Sequence, residues 1–308
     1  MNVTESGHFA DDTFILYASK KMKTIEVIMN TELKLVSNWL RLNRLSLNAT
    51  KTELIYFRSK RRVLDREIFI RLNGKRLSPV DHVKYLGVYL DCNLSWDFHI
   101  TQLSKKLSRA NGILSKLRYN APREVCINVY YSLFYSHLIY GINVWGLTSV
   151  ENLRKIEILQ NKCLRTLCFS DFDAHANPLY INLKILKVRD IINLNLIKLA
   201  YEFTTNSLPT DNQSLFRFSR NVVTSNMNLS CIRKNHLFIP RINHVFSGTK
   251  SLRYQCPLQW NNFMNKASSK KIILSNILND YLDTNKINNI HQLKRKLKKY
   301  FLHSYTLE

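Results

Sequence analysis

Acidic residues are scarce in this 308-residue chain: 22 Asp and Glu stand against 46 Lys and Arg, a formal charge of +24. That excess is more than solubility requires and argues for a polyanionic partner, nucleic acid first and an anionic membrane surface second. Cysteine pairing is also lacking. Cys92, Cys126, Cys163, Cys168, Cys231 and Cys256 form no Cys-x-x-Cys pair, which excludes a disulfide framework and suits a reducing, intracellular setting, nucleus or cytoplasm. Cys231, His236, His244 and Cys256 match no common zinc spacing. The polar start, Met1 to His8, is expected to carry no signal peptide. Val125 to Val150 holds no Lys, Arg, Asp or Glu and is long enough to span a bilayer. A spanning helix would put Asn128, His137, Asn143 and four tyrosines into lipid, so the stretch reads as a buried helix, with His137 a core histidine, and membrane as an improbable partner.

What is present is ample apolar material, 45% of residues, with 15 Tyr and 15 Phe. Most of these rings are expected in cores, and some are available for stacking on bases. Near the start stand Phe9-Ala10-Asp11-Asp12, then the apolar run Phe14 to Ala18. A bulky-small-Asp-Asp tetrad suits the turn of a β-hairpin that lifts two carboxylates out of the strands. Such oxygens are what Mg²⁺ takes as ligands, although an Asp-Asp pair is also an ordinary solvated turn. Ser19 is placed to cap a helix from Lys20. In that helix Ile25, Ile28, Met29, Leu33, Val36, Trp39 and Leu40 share a face that packs on a sheet.

A short strand is expected over Glu53 to Phe57. Arg58, Lys60, Arg61 and Arg62 follow, as phosphate contacts or as a solvated loop. Asn73-Gly74 between apolar runs marks a hairpin. Val83 to Leu90 reads as one strand, with Gly87 at a bulge or a close backbone approach.

This order of Phe-Ala-Asp-Asp, long helix, Leu45 to Thr52, strand, Asn-Gly hairpin and Lys84-Tyr85-Leu86-Gly87-Val88-Tyr89-Leu90-Asp91 resembles the later half of a reverse transcriptase palm. The likeness is to the non-LTR, jockey-like retrotransposon class. It continues through Leu94-Ser95-Trp96, Tyr135 to Gly141, Trp145-Gly146, Gln160-Asn161-Lys162 and Pro257-Leu258-Gln259-Trp260. The resemblance implies an α+β chain: a partial palm over residues 1–92, a helical thumb and connection over 93–170, and a mainly helical region over 171–308 with an irregular stretch at 210–260. It implies RNA-directed DNA polymerisation on an RNA–DNA hybrid with dNTP substrates and Mg²⁺. Asp11 and Asp12 would be catalytic metal ligands and Lys51 a proton donor to the pyrophosphate. Tyr85, Leu86 and Gly87 would form the primer grip.

The helix after Ser95 buries Ile100, Leu103, Leu107, Ala110 and Leu114 and turns Lys105, Lys106, Arg109, Lys116 and Arg118 outward, a pattern suited to a duplex backbone. In the resembling family the first metal-binding aspartate and the fingers lie upstream of the tetrad, and Phe9 is preceded here by only eight residues. Asp65, Asp81 and Asp91 do not replace that aspartate. The expectation is a polymerase fragment inactive alone; a non-enzymatic nucleic-acid-binding derivative is the alternative. Helices are expected over Leu153 to Leu167, Val188 to Phe203, Lys271 to Leu282 and Ile290 to Leu302. The last carries Lys294 to Lys299, either a contact or import signal or a solvated face with Leu293, Leu297 and Phe301 inward. Trp260 reads as a core anchor.

Overall fold

The computed structural model describes residues 4–45, 50–61, 67–219, 236–241, 250–268 and 289–306. It is a mixture of helices and short antiparallel hairpins, in two compact units, Met1–Phe98 and His99–Glu308. The expected helix at 271–282, Arg62, Asp65 and two of the four residues weighed as a zinc set lie outside the described residues. Among the described residues no helix is long and apolar enough to cross a membrane, and the charge-free stretch at 125–150 breaks into several short helical pieces.

Among the described residues the first unit contains three separate two-stranded hairpins and one long helix. Strands β1 (Glu5–Phe9) and β2 (Asp12–Leu16) pair with Phe9 opposite Asp12. Helix α1 runs Met22–Leu42. Its cap is Lys21 rather than Ser19, whose hydroxyl instead accepts the Lys21 N–H at 3.3 Å. Strands β3 (Arg71–Leu72) and β4 (Lys75–Arg76) turn at Asn73-Gly74, both left-handed with φ of 48° and 81°, as a primed hairpin turn requires.

The core of this unit is small: Leu33, Ile68, Ile70, Leu72 and Leu77, with Ile15, Ile25, Met29, Leu54 and Tyr56 packed around it. Asn30 of α1 docks on the β3 edge as a strand would. Its amide donates to the Phe69 carbonyl at 2.9 Å and accepts the Arg71 N–H at 2.8 Å. Leu33 alone of α1 is buried, with Ile25 and Met29 partly buried beside it, so the expected packing of its whole apolar face is corrected. Trp39, at 57% exposed, and Leu42, at 79%, lie about 120° and 180° round the helix from Leu33. The strand expected over 53–57 is reduced to one bridge, Leu54 to Pro79.

The strand expected over 83–90 is also corrected. It is a hairpin, β5 (His82–Tyr85) and β6 (Val88–Asp91), folding at Leu86-Gly87. Both turn residues are left-handed, φ 45° and 80°. Gly87 adopts this freely, whereas Leu86 pays a steric cost that its sequence does not advertise.

The second unit is helical. Helix α2 (Asp97–Leu117), whose first two residues lie in the first unit, buries Ile100, Leu103, Leu107, Ala110 and Leu114 as expected. Helix α3 (Arg123–Val129) follows Pro122 and passes into a π-helical segment, Tyr130–Tyr135. The aromatic run there carries no clear period, and the wider turn stacks Tyr130 on Phe134 at 5.4 Å. Short helices α4 (Ser136–Ile139) and α5 (Ile142–Trp145) follow. Helices α6 (Val150–Cys168), α7 (Ala176–Leu183) and α8 (Val188–Thr204) form the body.

Helix α9 (Leu252–Ser268) begins inside the stretch expected to be irregular and holds Pro257 near its start. Trp260 is a core residue, 4% exposed. Helix α10 (Ile290–Ser304) buries Leu293, Leu297 and Phe301 as expected. His137 is on the surface, which corrects its reading as a core histidine. The core imidazole is His99, 7% exposed, its ring 5.8 Å from that of Trp145.

Burial, and then the Lys106 charge, push the His99 imidazole down to about 4 from its ordinary 6.5. The unfolded chain takes up this proton near pH 6.5, and the folded chain only near 4. The contribution is therefore complete above pH 6.5 and is lost as pH falls towards 4. It amounts to about 2 kcal/mol once partial solvent access is allowed for. Urea midpoints should drop more from about pH 7 to about pH 4.5 in the parent chain than in His99→Gln; equal drops would exclude His99 as the cause.

Candidate active site and nucleic-acid interface

The tetrad occupies a tight hairpin tip. Phe9 and Asp12 close the β1–β2 ladder and leave Ala10 and Asp11 as the turn, with Ala10 left-handed at φ 53°. Alternation along β2 puts Asp12, Phe14 and Leu16 on one face, and Ile15 on the face that meets the core. Phe14 folds over Gly7, where a Cβ would come within 2.3 Å of its ring. The carboxylates of Asp11 and Asp12 are both exposed. Among the described residues no group of three His, Cys, Asp or Glu is arranged to hold a metal. The pair offers oxygens of the type Mg²⁺ takes, but it falls short of the ligand set that a two-ion centre requires.

One expected neighbour is brought up to this hairpin. The Tyr85 ring at the end of β5 meets Phe14 edge-on, with ring centroids 5.7 Å apart. Phe14 shares the face of Asp12, so the Leu86-Gly87 hairpin and the carboxylate hairpin touch through their aromatic residues. Lys51 lies exposed in a turn.

Asp91, the last residue of β6, has a different task. Its carboxylate accepts the N–H groups of Asn93 at 3.1 Å, Ser95 at 3.0 Å and Trp96 at 2.7 Å. It organises the corner that enters α2, where Leu94 and Trp96 are left-handed, φ 50° and 68°. From the sequence Asp91 is set aside as a replacement for the missing metal-binding aspartate and has no other role. The spacing Asp-x-Asn-x-Ser, suited to local side-chain-to-backbone bonds, was the available signal.

Lys105, Lys106, Arg109 and Lys116 are all exposed on α2. No ion pair among the described residues engages Lys105, Lys106 or Arg109. Arg118 is a correction to the outward-facing set. Its guanidinium lies 4.7 Å from the ring centres of both Tyr119 and Phe169 and donates to the Thr166 carbonyl at 3.3 Å. Tyr119 and Phe169 remain 71% and 56% exposed.

Homologues of this chain are RNA-directed DNA polymerases, over a minority of their length. They are those of non-LTR retrotransposons, so the chain is a homologue of that class. It is 27% identical over 186 residues to the RNA-directed DNA polymerase from mobile element jockey of Drosophila melanogaster, 59% of this chain and 20% of that protein. It is 26% identical over 190 residues to the probable polymerase from transposon X-element of the same fly, with 60% and 20% covered. It is 27% identical over 144 residues to a Pol polyprotein from type-1 retrotransposable element R1 of Nasonia vitripennis, with 44% and 37% covered. The chain thus spans about a fifth of the length of the jockey polymerase it matches. No family model matches it, and no solved structure matches significantly.

Proposed function

We propose that the chain supplies the later palm hairpins and the thumb of an RNA-directed DNA polymerase of the non-LTR retrotransposon class. Residues 1–92 would be palm, 93–170 thumb and connection, and 171–308 a mainly helical region with an irregular stretch at 210–260. The observation that carries this reading is the contact between two hairpins, one tipped by Asp11-Asp12 and the other by Leu86-Gly87. Homology to polymerases gives the contact its meaning. In this reading Asp11 and Asp12 contribute to Mg²⁺ binding, and Lys51 donates a proton to the leaving pyrophosphate. The hairpin of Tyr85, Leu86 and Gly87 steadies the primer end. Lys105, Lys106 and Arg109 hold the backbone of an RNA–DNA hybrid, where unpaired cations on a helix face release counterions from phosphates.

Two results test it. The purified chain should bind a labelled RNA–DNA hybrid with a steep salt dependence. Lys105→Gln/Lys106→Gln/Arg109→Gln should flatten the slope of log K against log salt by about 2; an unchanged slope would remove α2 from the interface. With Mg²⁺ and dNTPs the chain alone is expected not to extend a primer, because an exposed carboxylate pair is a weak cation site. Extension that disappears in Asp11→Ala would refute this inactivity.

A further inference from the structure

Helix α10 has two sharply different faces. Asn289 caps it, its side chain accepting the Gln292 N–H at 2.9 Å, and Leu293, Leu297 and Phe301 are buried. Beyond its end, Tyr305 fixes the helix to the start of α8. Its hydroxyl accepts the Lys187 N–H at 3.0 Å and donates to the Asp190 carboxylate. Around the rest of the helix stand Lys294, Arg295, Lys296, Lys298 and Lys299, of which Lys294, Arg295 and Lys299 are exposed, and the helix has no acidic residue.

Lys294, Arg295 and Lys298 form no ion pair among the described residues. Two acids of the α6–α8 region are already engaged, Asp190 by Tyr305 and Glu157 by Arg189. Lys298 is partly buried, and both that burial and the charge of Lys184 push its ammonium below its usual range. Lys184 itself is exposed at the left-handed cap of α7. Lys184 and Lys298 thus act on each other as like charges, and among the described residues neither forms an ion pair, an arrangement that a bound anion would relieve.

We propose that this face of α10, together with Lys184, is a second duplex-binding surface, distinct from α2, that holds nucleic acid through its phosphates. Lys294 with Lys298, and Arg295 with Lys299, are i,i+4 pairs about 6 Å apart along the helix axis, close to the spacing of successive phosphates on a strand. Tyr300 lies beside the apolar stripe and packs against Phe301 with centroids 5.3 Å apart, which leaves the imidazoles of His291 and His303 as the rings among the basic residues and favours backbone recognition over stacking on large aromatic platforms. An anionic bilayer is the competing polyanion. An interfacial helix must bury its apolar face in lipid, and the apolar face of α10 is spent on the core.

The test uses the full chain and a labelled RNA–DNA hybrid, followed by anisotropy across a salt series. Lys294→Gln/Arg295→Gln/Lys298→Gln should bind about tenfold more weakly at moderate salt, with a slope shallower by about 2. The effect should add to that of the α2 triple substitution. Lys294→Arg/Lys298→Arg should bind like the parent. Lys294→Gln/Arg295→Gln, which alters only exposed side chains, should show the same trend with an unchanged melting temperature. Parental binding by the folded α10 variants would overturn the proposal, even where the α2 variant is impaired. So would a loss confined to vesicles of phosphatidylserine in phosphatidylcholine. An effect of α10 substitution without any effect of α2 substitution would uphold this surface and reject the α2 assignment instead.

Discussion

Replacing Gln160 by Ala should destabilise the helical unit by about 3–5 kcal/mol. Gln160 is fully buried on α6, and each end of its amide is used twice. The amino group donates to the Leu186 carbonyl at 2.9 Å and to the Tyr130 hydroxyl at 3.4 Å. The oxygen accepts from the Tyr180 hydroxyl and the Val188 N–H, both at 3.0 Å. One side chain therefore serves α6, the π-helical segment, α7 and the first residue of α8.

Removal strands a backbone donor and a backbone acceptor away from water, and each orphan costs about 1–3 kcal/mol. Tyr180 keeps a second bond, to Asn161 at 2.8 Å, which limits the loss there. Gln160→Leu, which fills the volume, should recover only the packing part. Urea denaturation of the three chains measures this. A Leu variant as stable as the parent would mean that the amide is dispensable.

The second large effect is expected at Asp91, where Ala should cost about 2–4 kcal/mol in the first unit. Three N–H groups lose a charged acceptor at once, and two left-handed residues, Leu94 and Trp96, lose what holds them there. Bonds to a carboxylate are stronger than neutral ones, so Asp91→Asn should retain part of the stability. Amide exchange at Asn93, Ser95 and Trp96 is the direct readout. These three should accelerate together in Asp91→Ala, and protection equal to the parent would show that the corner is held by something else.

The sequence was informative wherever one residue type answers one local demand. Asn73-Gly74 announces its turn because both residues tolerate positive φ. The stripe Ile100, Leu103, Leu107, Ala110 and Leu114 announces a buried helix face because its period is helical. Where the demand was met by an unexpected residue, the reading failed. Leu86 takes a conformation that its side chain disfavours, so a hairpin passed for a strand with a bulge. The aromatic run at Tyr130–Tyr135 has no period from which a π-helix could be read. Trp39 is apolar and is read from the sequence as part of the buried stripe, yet it stands six residues from Leu33, about 120° round the helix, and is left exposed. At the candidate site the carboxylate tip was legible from four adjacent residues. The structural duty of Asp91 was not, since it depends on three backbone groups further along the chain.

The Tyr305 anchor also has a consequence in time. It joins residues 118 apart, so the surface of α8 that receives α10 is made long before its cover. At a synthesis rate of roughly 5–20 residues per second, that surface would wait about 6–24 s on the ribosome before Tyr305 exists. For most of that interval Leu293, Leu297 and Phe301 have not yet been added, and the nascent chain offers chaperones an apolar seat that the finished protein conceals.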